Sequence, residues 1–319
     1  MTHLKLSRVS AMTLLAILAI TTHLPAQVKY TVTDLGTLGG TFSQANTINN
    51  RGQVVGTSSL RGDEVAHAFL WEHRQITDLG TLGGPISVGA GINDSGEVVV
   101  GADTDIFGGL KNTICATEAI CRMFIWKNGL EVPDLGTLPG GTDAGIFSII
   151  AFGAGTGLIN NSHQAAGTAD LPRVDPNDVP FAISHPFLWR KGLIRDLGTL
   201  HDCNNSDANA INDKGQVVGV SETTPNPDPE LNFPPVHGFL WDHGVMRDLH
   251  TLGGKLSWAL GVNNQGQIAG VSTLPGDLLV EAFLWDNGVL TDLGTLPGDN
   301  QSAANAVRNQ GDKEAPKQL

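Results

Sequence analysis

Short apolar runs separated by glycine, asparagine and aspartate recur along the chain between residues 30 and 311. One block reads Asp-Leu-Gly-Thr-Leu, and it begins at Asp34, Asp78, Asp134, Asp196 and Asp292, with the variant Asp-Leu-His-Thr-Leu at Asp248. The intervals between copies are 44, 56, 62, 52 and 44 residues. Repeats of this length are typical of folds in which each copy is a small unit that stacks on its neighbours.

Two further blocks follow the first in a fixed order. Ile-Asn-x-x-Gly-Gln-Val-Val-Gly starts at Ile48 and recurs with changes at Ile92, Ile159, Ile211 and Val262. An aromatic block, His67 to Trp71 in the first copy, has counterparts that end at Trp126, Trp189, Trp241 and Trp285. We predict four strands per repeat: Asp-Leu-Gly-Thr-Leu, Ala-x-x-Ile-Asn, Gln-Val-Val-Gly and Phe-Leu-Trp. The Asn-x-x-Gly stretches predict tight hairpin turns, because Asn and Gly tolerate left-handed backbone conformations.

Four strands in a minimum unit of 44 residues match the size of a propeller blade. The sequence therefore predicts an all-β, β-propeller-like array of four-stranded blades, about six in number, five complete and the sixth partial. A β-solenoid is the alternative, ranked lower because its coils usually repeat over fewer residues, and an open propeller is another. With 40 glycines and 16 prolines, the repeats do not favour long helices.

The N-terminus has the pattern of a secretory signal peptide. Lys5 and Arg8 precede an apolar stretch from Ala11 to Ile20, and Ala26 supplies a small residue for cleavage. The apolar stretch is too short to span a bilayer, which needs about 20 residues. We predict a signal peptide over 1–26, one repeat domain over 27–311 and a polar tail over 312–319, in a protein that is secreted, extracellular or periplasmic. The alternative is a buried N-terminal helix.

The charge of the chain restricts its partners. The net charge is −13, and it becomes −15 without residues 1–26, which carry two basic and no acidic side chains. Nucleic acid and anionic lipid both require clustered Lys and Arg, so we expect neither as a partner, and we expect no transmembrane segment. The incomplete sixth repeat could pair through its edge with another chain.

Three cysteines are present. Cys115 and Cys121 are close enough in sequence to form a local disulfide in an oxidising compartment, which leaves Cys203 over. Their spacing relative to histidines matches no zinc pattern.

The three blocks together resemble the HAF family of extracellular repeat proteins, which is named for the His-Ala-Phe letters seen here at His67, Ala68 and Phe69. The resemblance covers nearly all of residues 30–311 and implies an exported bacterial β-repeat protein without assigning an activity. Only the first copy has all three letters; the others keep the Phe, at Phe124, Phe187, Phe239 and Phe283.

Insertions concentrate at one connection, between the Val-Val-Gly block and the aromatic block. These loops are Thr57–Ala66, Ala102–Cys121, Thr168–Ser184, Val220–Val236 and Val271–Val280. In repeat folds such insertions lie on one face, which is often the binding face. We therefore predict ligand contacts at Asp170, Asp175 and Asp178 in the third loop. Trp258 is a fourth candidate, because other copies carry small or polar residues at its position.

Other repeated residues have structural interpretations. The six block aspartates could be catalytic or bind calcium, but a residue needed in every copy is better explained as a turn cap, and the nearby stretches are too short for a calcium loop. His67, His185 and His237 could form a metal-binding ring, but Arg122 and Glu281 interrupt it. We interpret the block tryptophans as inter-blade core. No metal site and no cofactor is predicted.

Two functions remain open. The first is a binding or structural module whose loop face contacts a polysaccharide or a protein. The second is a propeller-type extracellular carbohydrate hydrolase or lyase, although the sequence has no Gly-x-Ser-x-Gly elbow and no Cys with an identifiable His partner. Two or more acidic side chains that converge in a cleft with raised pKa values would favour the enzyme.

Overall fold

The computed structural model describes residues 31–108, 117–132, 134–146, 157–178 and 181–309. The predicted signal peptide and polar tail lie outside these ranges. The chain divides into a unit that ends at Asp34 and a unit that begins at Leu35, and the second contains all the strands of the described residues. None of the described residues belongs to a helix long and apolar enough to cross a membrane.

Antiparallel strands build five four-stranded units, here called blades 1 to 5 in chain order. Blade 1 contains β1 (Gly39–Ile48), β2 (Val54–Leu60), β3 (Ala66–Glu72) and β4 (Gln75–Asp78). Blade 2 contains β5 (Gly83–Ile92), β6 (Val98–Phe107), β7 (Ala119–Lys127) and β8 (Leu130–Val132). Blade 3 contains β9 (Ala144–Gly145), β10 (Gln164–Val174), β11 (Ala182–Arg190) and β12 (Leu193–Asp196). Blade 4 contains β13 (Ser206–Ile211), β14 (Val217–Glu222), β15 (Val236–Asp242) and β16 (Val245–Asp248). Blade 5 contains β17 (Ser257–Val262), β18 (Ile268–Thr273), β19 (Val280–Asp286) and β20 (Val289–Gly294).

Within each blade the strands lie in chain order, and each is antiparallel to the next. One residue of each blade lines a common cavity, here called the axis: Ile48, Ile92, Ile159, Ile211 and Val262. In blades 1, 2, 4 and 5 this residue is the last of the first strand, and in blade 3 it lies between β9 and β10. Blades 1 and 2 are also joined by one parallel pair, Ala66 with Ile86. A short 3-10 helix, Leu200–Asp202, lies between blades 3 and 4. The all-β prediction of stacked four-stranded propeller blades is confirmed.

The prediction that Asp-Leu-Gly-Thr-Leu is the first strand of a blade is wrong. At Asp78, Asp196 and Asp248 the Asp ends the fourth strand of a blade, and the next four residues lead to the following blade, whereas in blade 5 the fourth strand continues to Gly294. The glycine of the block adopts a positive φ, 73° at Gly80 and 74° at Gly198, which a residue without a side chain adopts readily. Each repeat therefore begins one strand later than the sequence blocks suggest, and blades 1 to 5 each have all four strands.

The glycine of the Val-Val-Gly block is required chiefly by the backbone of the first strand beside it. At Gly219, a Cβ atom would lie 1.9 Å from the carbonyl oxygen of Asp207 and 3.0 Å from the ring of Phe239. The ring of Phe239 is completely buried, as are its four counterparts Phe69, Phe124, Phe187 and Phe283. These phenylalanines form the blade cores, and Trp126, Trp189 and Trp285 pack against the core clusters with Trp241 buried inside one of them. The core interpretation of these tryptophans is confirmed.

Residues 295–309 occupy a sixth position beside blade 5. Gln301 pairs with Val280, and the carbonyl of Arg308 accepts a hydrogen bond of 2.8 Å from Asn263 Nδ2. The opposite flank of the array, on blade 1, is open in the described part of the chain. Ile48 there is 66% exposed, whereas Ile92 and Ile211 at the same position are 6% exposed because a preceding blade covers them.

Candidate functional site

The Ile-Asn-x-x-Gly-Gln motif joins each blade to the next. Asn212 folds its own hairpin turn, since its Oδ1 accepts hydrogen bonds from the backbone N–H groups of Lys214 and Gln216. Its Nδ2 donates to the carbonyl oxygen of Asn263 in the next blade, at 2.8 Å. The same inter-blade bond is made by Asn49, Asn93, Asn160 and Asn263. The repeated asparagine therefore has two structural roles: it stabilises its own turn, as predicted, and it also bonds to the next blade.

The residue after each of these asparagines lines the axis. The backbone N–H of Asn161 donates to Asp213 Oδ1 at 2.8 Å, and the N–H of Asp213 donates to Asn264 Oδ1 at 2.8 Å. The chain of bonds runs from Asn50 through Asp94 to Asn161, and it reaches Asn309 after Asn264. These polar groups are hydrogen-bonded to one another, so at this end of the axis they connect neighbouring blades and have a structural role.

The block aspartates cap turns, as predicted. Asp196 Oδ1 accepts a hydrogen bond of 2.8 Å from the backbone N–H of Gly198, and corresponding bonds are made by Asp78, Asp134, Asp248 and Asp292. The histidines do not form a ring. His185 Nδ1 lies 3.0 Å from Asp196 within its own blade, and His67 and His237 pair with their own block aspartates in the same way. The Arg122 copy pairs with Asp134.

The insertions do lie at one end of the blades, opposite the asparagine turns, because all five connect the second strand of a blade to the third. Strand extension makes them shorter than predicted: the loop of blade 3 spans residues 175–181 and that of blade 4 spans 223–235. The loop of blade 3 contacts blade 4 through Asn177 Nδ2, which donates to the carbonyl of Pro225 at 2.8 Å.

A cleft of about 350 Å³ opens on this loop face. Its walls come from the loops of blades 3 and 4, the third strand of blade 3, the first three strands of blade 4 and the first strand of blade 5. It is lined by four acidic residues, three aromatic residues and several small or amide side chains: Asp175, Asp178, Asp207, Glu222, Phe181, Phe233, Trp258, Asn205, Ser184, Ser206 and Ser221, with Ala182, Val220 and Val236. We call it the rim cleft.

Two of the four acids hold the rim cleft together. Asn205 Nδ2 lies between them, 2.5 Å from Asp175 Oδ2 and 2.9 Å from Glu222 Oε1. Glu222 Oε2 also accepts from the backbone N–H groups of Asn204 and Asn205, at 3.1 and 3.2 Å. Both carboxylates are almost fully buried. They fix the loop of blade 3 against the first strand of blade 4 and give the cleft a defined shape.

Asp207 is the acid that differs most from the others. It lies on β13, and its Oδ1 has no hydrogen-bond partner among the described residues. Burial raises the pKa of Asp207 to about 7, and the nearby Glu222 carboxylate adds to this rise. Burial also raises the pKa of Glu222, with a further contribution from Asp175. Asp207 is therefore partly protonated near neutral pH.

Aromatic side chains form the more open part of the rim cleft. Phe233 is 45% exposed, and Phe181 and Trp258 are partly exposed. Trp258 occupies the position that Asp207 occupies in blade 4 and that Gln44 and Val88 occupy in blades 1 and 2. Aromatic side chains and carboxylate oxygens therefore line the same cleft.

Three of the four residues singled out from the sequence, Asp175, Asp178 and Trp258, line the rim cleft together. Asp170 does not. It is buried at the base of blade 3, where its Oδ1 accepts hydrogen bonds from the backbone N–H groups of Thr142 and Asp143, at 2.7 and 2.8 Å. Asp207, Glu222 and Asn205 were not predicted from the sequence. One feature of the sequence could have indicated Asp207: it occupies the same repeat position as Trp258, and the residue at this position differs from copy to copy.

A second cleft, of about 430 Å³, lies between blades 3 and 4 near the asparagine turns. Arg190, Arg195 and Lys214 border it, and Arg195 stacks 5.1 Å above the ring of Trp241. It is a local basic region in an acidic chain.

Neither Cys121 nor Cys203, the two cysteines among the described residues, lines either cleft. Cys203 is a buried free thiol, and burial together with Glu222 and Asp202 raises its pKa to about 11. Cys115 lies outside the described residues, so the Cys115–Cys121 disulfide stays a prediction. One group of metal-ligating side chains occurs among the described residues, formed by His237, Asp248 and His250 on the outer edge of blade 4.

No family model and no curated protein sequence matches this chain. Among solved structures, it is similar to the β-propeller domain of the Trilobed protease from Pyrococcus furiosus, with 9% identity over 80% of this chain and 71% of that chain and a TM-score of 0.48. TolB from Acinetobacter baumannii is similar with 10% identity over 76% of this chain and 52% of that chain and a TM-score of 0.46. A mutant of AofleA from Arthrobotrys oligospora gives 12% identity over 81% and 74% and a TM-score of 0.35.

Proposed function

We propose that this protein is an exported binding module of the HAF repeat type, and that its rim cleft binds a polysaccharide. The observation that carries the proposal is the meeting of Asp178, Phe233 and Trp258 at one cleft on the face where the loops vary in length. Repeat proteins often use such a face for ligands, with the strands as an invariant frame.

The composition of the rim cleft favours a neutral or amino-sugar chain. Sugar rings have apolar faces that stack on aromatic side chains, and hydroxyl groups that donate hydrogen bonds to carboxylate and amide oxygens. The acids Asp175, Asp178 and Glu222 would repel uronic or sulfated sugars through like charge. A protonated amino group would be attracted for the same reason.

Exchange of the loop of blade 4 tests this proposal. Residues 223–235 are replaced by the six-residue loop of blade 5, residues 274–279, and the matched control receives the same six residues in place of 61–65 of blade 1. On an array of neutral, amino-sugar and anionic glycans, we expect the wild type and the control to retain neutral or amino-sugar chains. The blade 4 exchange should lose them. Equal binding by all three proteins would contradict the proposal.

A second candidate function, a carbohydrate hydrolase or lyase, is favoured by the raised pKa values of Asp207 and Glu222 in one cleft. A carboxyl that stays protonated near neutral pH can act as a general acid. Against this role, the carboxylates of Glu222 and Asp175 already accept hydrogen bonds from the Asn205 side chain, and Glu222 also accepts one from a backbone N–H group. Incubation of the glycans retained on the array with wild type and Asp207→Asn distinguishes the functions: products from the wild type alone would establish the enzyme, and intact glycans with both would establish binding.

A further inference from the structure

Blade 4 departs from the repeat at one residue of the turn that follows its fourth strand. Five copies of the first block have glycine at the third position, and the sixth has His250. His250 keeps the left-handed backbone that the glycines adopt, with φ of 63° compared with 73° at Gly80 and 74° at Gly198. A residue with a side chain adopts this conformation less favourably than glycine does. The substitution is therefore unfavourable for the turn itself.

The substitution brings a second imidazole to a histidine–aspartate pair. His237 Nδ1 lies 2.9 Å from Asp248 Oδ1, and His250 Nδ1 lies 3.3 Å from Asp248 Oδ2. The two rings are edge to face, with centroids 6.4 Å apart. One ligand atom from each of the three side chains lies within 4.8 Å of the other two. The repeat supplies comparison sites, because His67 and His185 form the same pair with Asp78 and Asp196 but have glycine at the third position.

We propose that His237, Asp248 and His250 bind a divalent transition-metal ion of the Zn²⁺ class. Zinc takes imidazole nitrogen and carboxylate oxygen at about 2.0–2.2 Å, so two ligand atoms in a tetrahedral site lie about 3.3 Å apart. Asp248 Oδ2 lies 2.9 Å from His237 Nδ1 and 3.3 Å from His250 Nδ1, so these two separations from one carboxylate oxygen are close to this value. The ion would replace the proton that His237 Nδ1 shares with Asp248, and three protein ligands would leave a fourth position for water or a ligand atom.

The surroundings suit an exchangeable ion rather than a structural one. His237 and Asp248 are largely buried, with side chains 19% and 15% exposed, whereas the His250 side chain is 77% exposed. The site lies on the loop side of blade 4, at the start of β15 and the end of β16.

Titration calorimetry of the untagged mature chain with ZnCl₂ tests this proposal, and Co²⁺ absorption serves as a second readout of tetrahedral coordination. We expect one ion per chain for the wild type. His250→Gly restores the repeat residue and removes a ligand without disturbing the turn, so it should weaken Zn²⁺ binding at least tenfold. Undiminished binding by His250→Gly would overturn the proposal.

A gain of function provides the matched control. Gly198→His places the third ligand beside His185 and Asp196 in blade 3, where a Cβ atom would meet nothing within 4 Å. This variant should bind two ions per chain, and Gly62→His in an exposed loop should bind one. A stoichiometry of one for Gly198→His, or of two for Gly62→His, would show that an imidazole at this turn does not create the site and would overturn the proposal.

Discussion

Asn212 of blade 4 donates a hydrogen bond from its side-chain Nδ2 to the backbone carbonyl of Asn263 in blade 5, over 2.8 Å. The same amide also bonds to Gln216 Oε1, and its oxygen accepts two backbone N–H groups, so one buried side chain closes a turn and joins two blades. The consensus Ile-Asn-x-x-Gly-Gln thereby encodes the contact between repeats as well as the repeat itself.

Asn212→Ala should destabilise the array strongly. The change leaves the buried Asn263 carbonyl without its partner, a loss that costs about 1–3 kcal/mol, and it also removes the acceptor of two partly buried backbone N–H groups. We expect the midpoint of chemical denaturation to fall, with a decrease of at least 2 kcal/mol in the free energy of unfolding. Asn226→Ala, on an exposed loop, is the control. If both variants unfold at the wild-type midpoint, the hydrogen bond from Asn212 to the next blade does not stabilise the array.

Gly219→Ala should be far more harmful than Gly129→Ala. The first Cβ would overlap the carbonyl of Asp207, and the neighbouring strand must move to admit it. The second lies in open space and incurs only the positive-φ penalty of about 1 kcal/mol. Thermal unfolding by circular dichroism compares the two. Similar melting temperatures would show that the aromatic ring and the strand do not fix this position.

The buried Asp207 predicts an unusual dependence of stability on pH. Its pKa is about 7 in the folded chain and 3.8 ordinarily, so the folded state holds this proton more tightly. The stabilising contribution is complete below pH 4 and is lost as the pH rises to 7, by up to about 4 kcal/mol. Relative to the wild type, Asp207→Asn should therefore gain stability between pH 4 and pH 8. Urea denaturation measures this difference, with Asp178→Asn as the control from the same cleft. A difference that does not vary with pH would contradict the assignment.

Cys203 should be inert in the folded chain. Its thiol is buried and its pKa is about 11, so the reactive thiolate is scarce at pH 8. Alkylation should be slow in the native protein and fast in guanidinium chloride. If the predicted Cys115–Cys121 disulfide forms, the denatured, unreduced chain takes up one label. Three labels would contradict the disulfide, and rapid native labelling would contradict the burial of Cys203.

The repeat blocks made the blade architecture predictable, because strand length, turn residues and aromatic positions recur in fixed order. The start of each blade was not predictable from the same blocks. Asp-Leu-Gly-Thr-Leu has strand-like composition, but at Asp78, Asp196 and Asp248 it ends the fourth strand of one blade and leads to the next. Only the backbone shows that Asp78 belongs to the blade before it.

The candidate site was predicted in part. Asp175, Asp178 and Trp258 were identified because they break the repeat, by insertion or by residue type. Asp170 has the same sequence signal, but its carboxylate caps backbone amides in the interior. Asp207 and His250 also break the repeat. Their importance depends on which neighbours the stacking of blades and strands brings to them, and spacing along one chain does not specify that.

Binding of a neutral or amino-sugar oligosaccharide by wild type and by Trp258→Gln, measured by titration calorimetry, tests the assignment of the rim cleft most directly. Glutamine is the residue of blade 1 at this position, so the fold should tolerate it. We expect one binding site in the wild type and at least a tenfold loss of affinity in the variant, because the aromatic surface for sugar stacking is removed. Equal affinity in the two proteins would contradict the rim cleft as the ligand site.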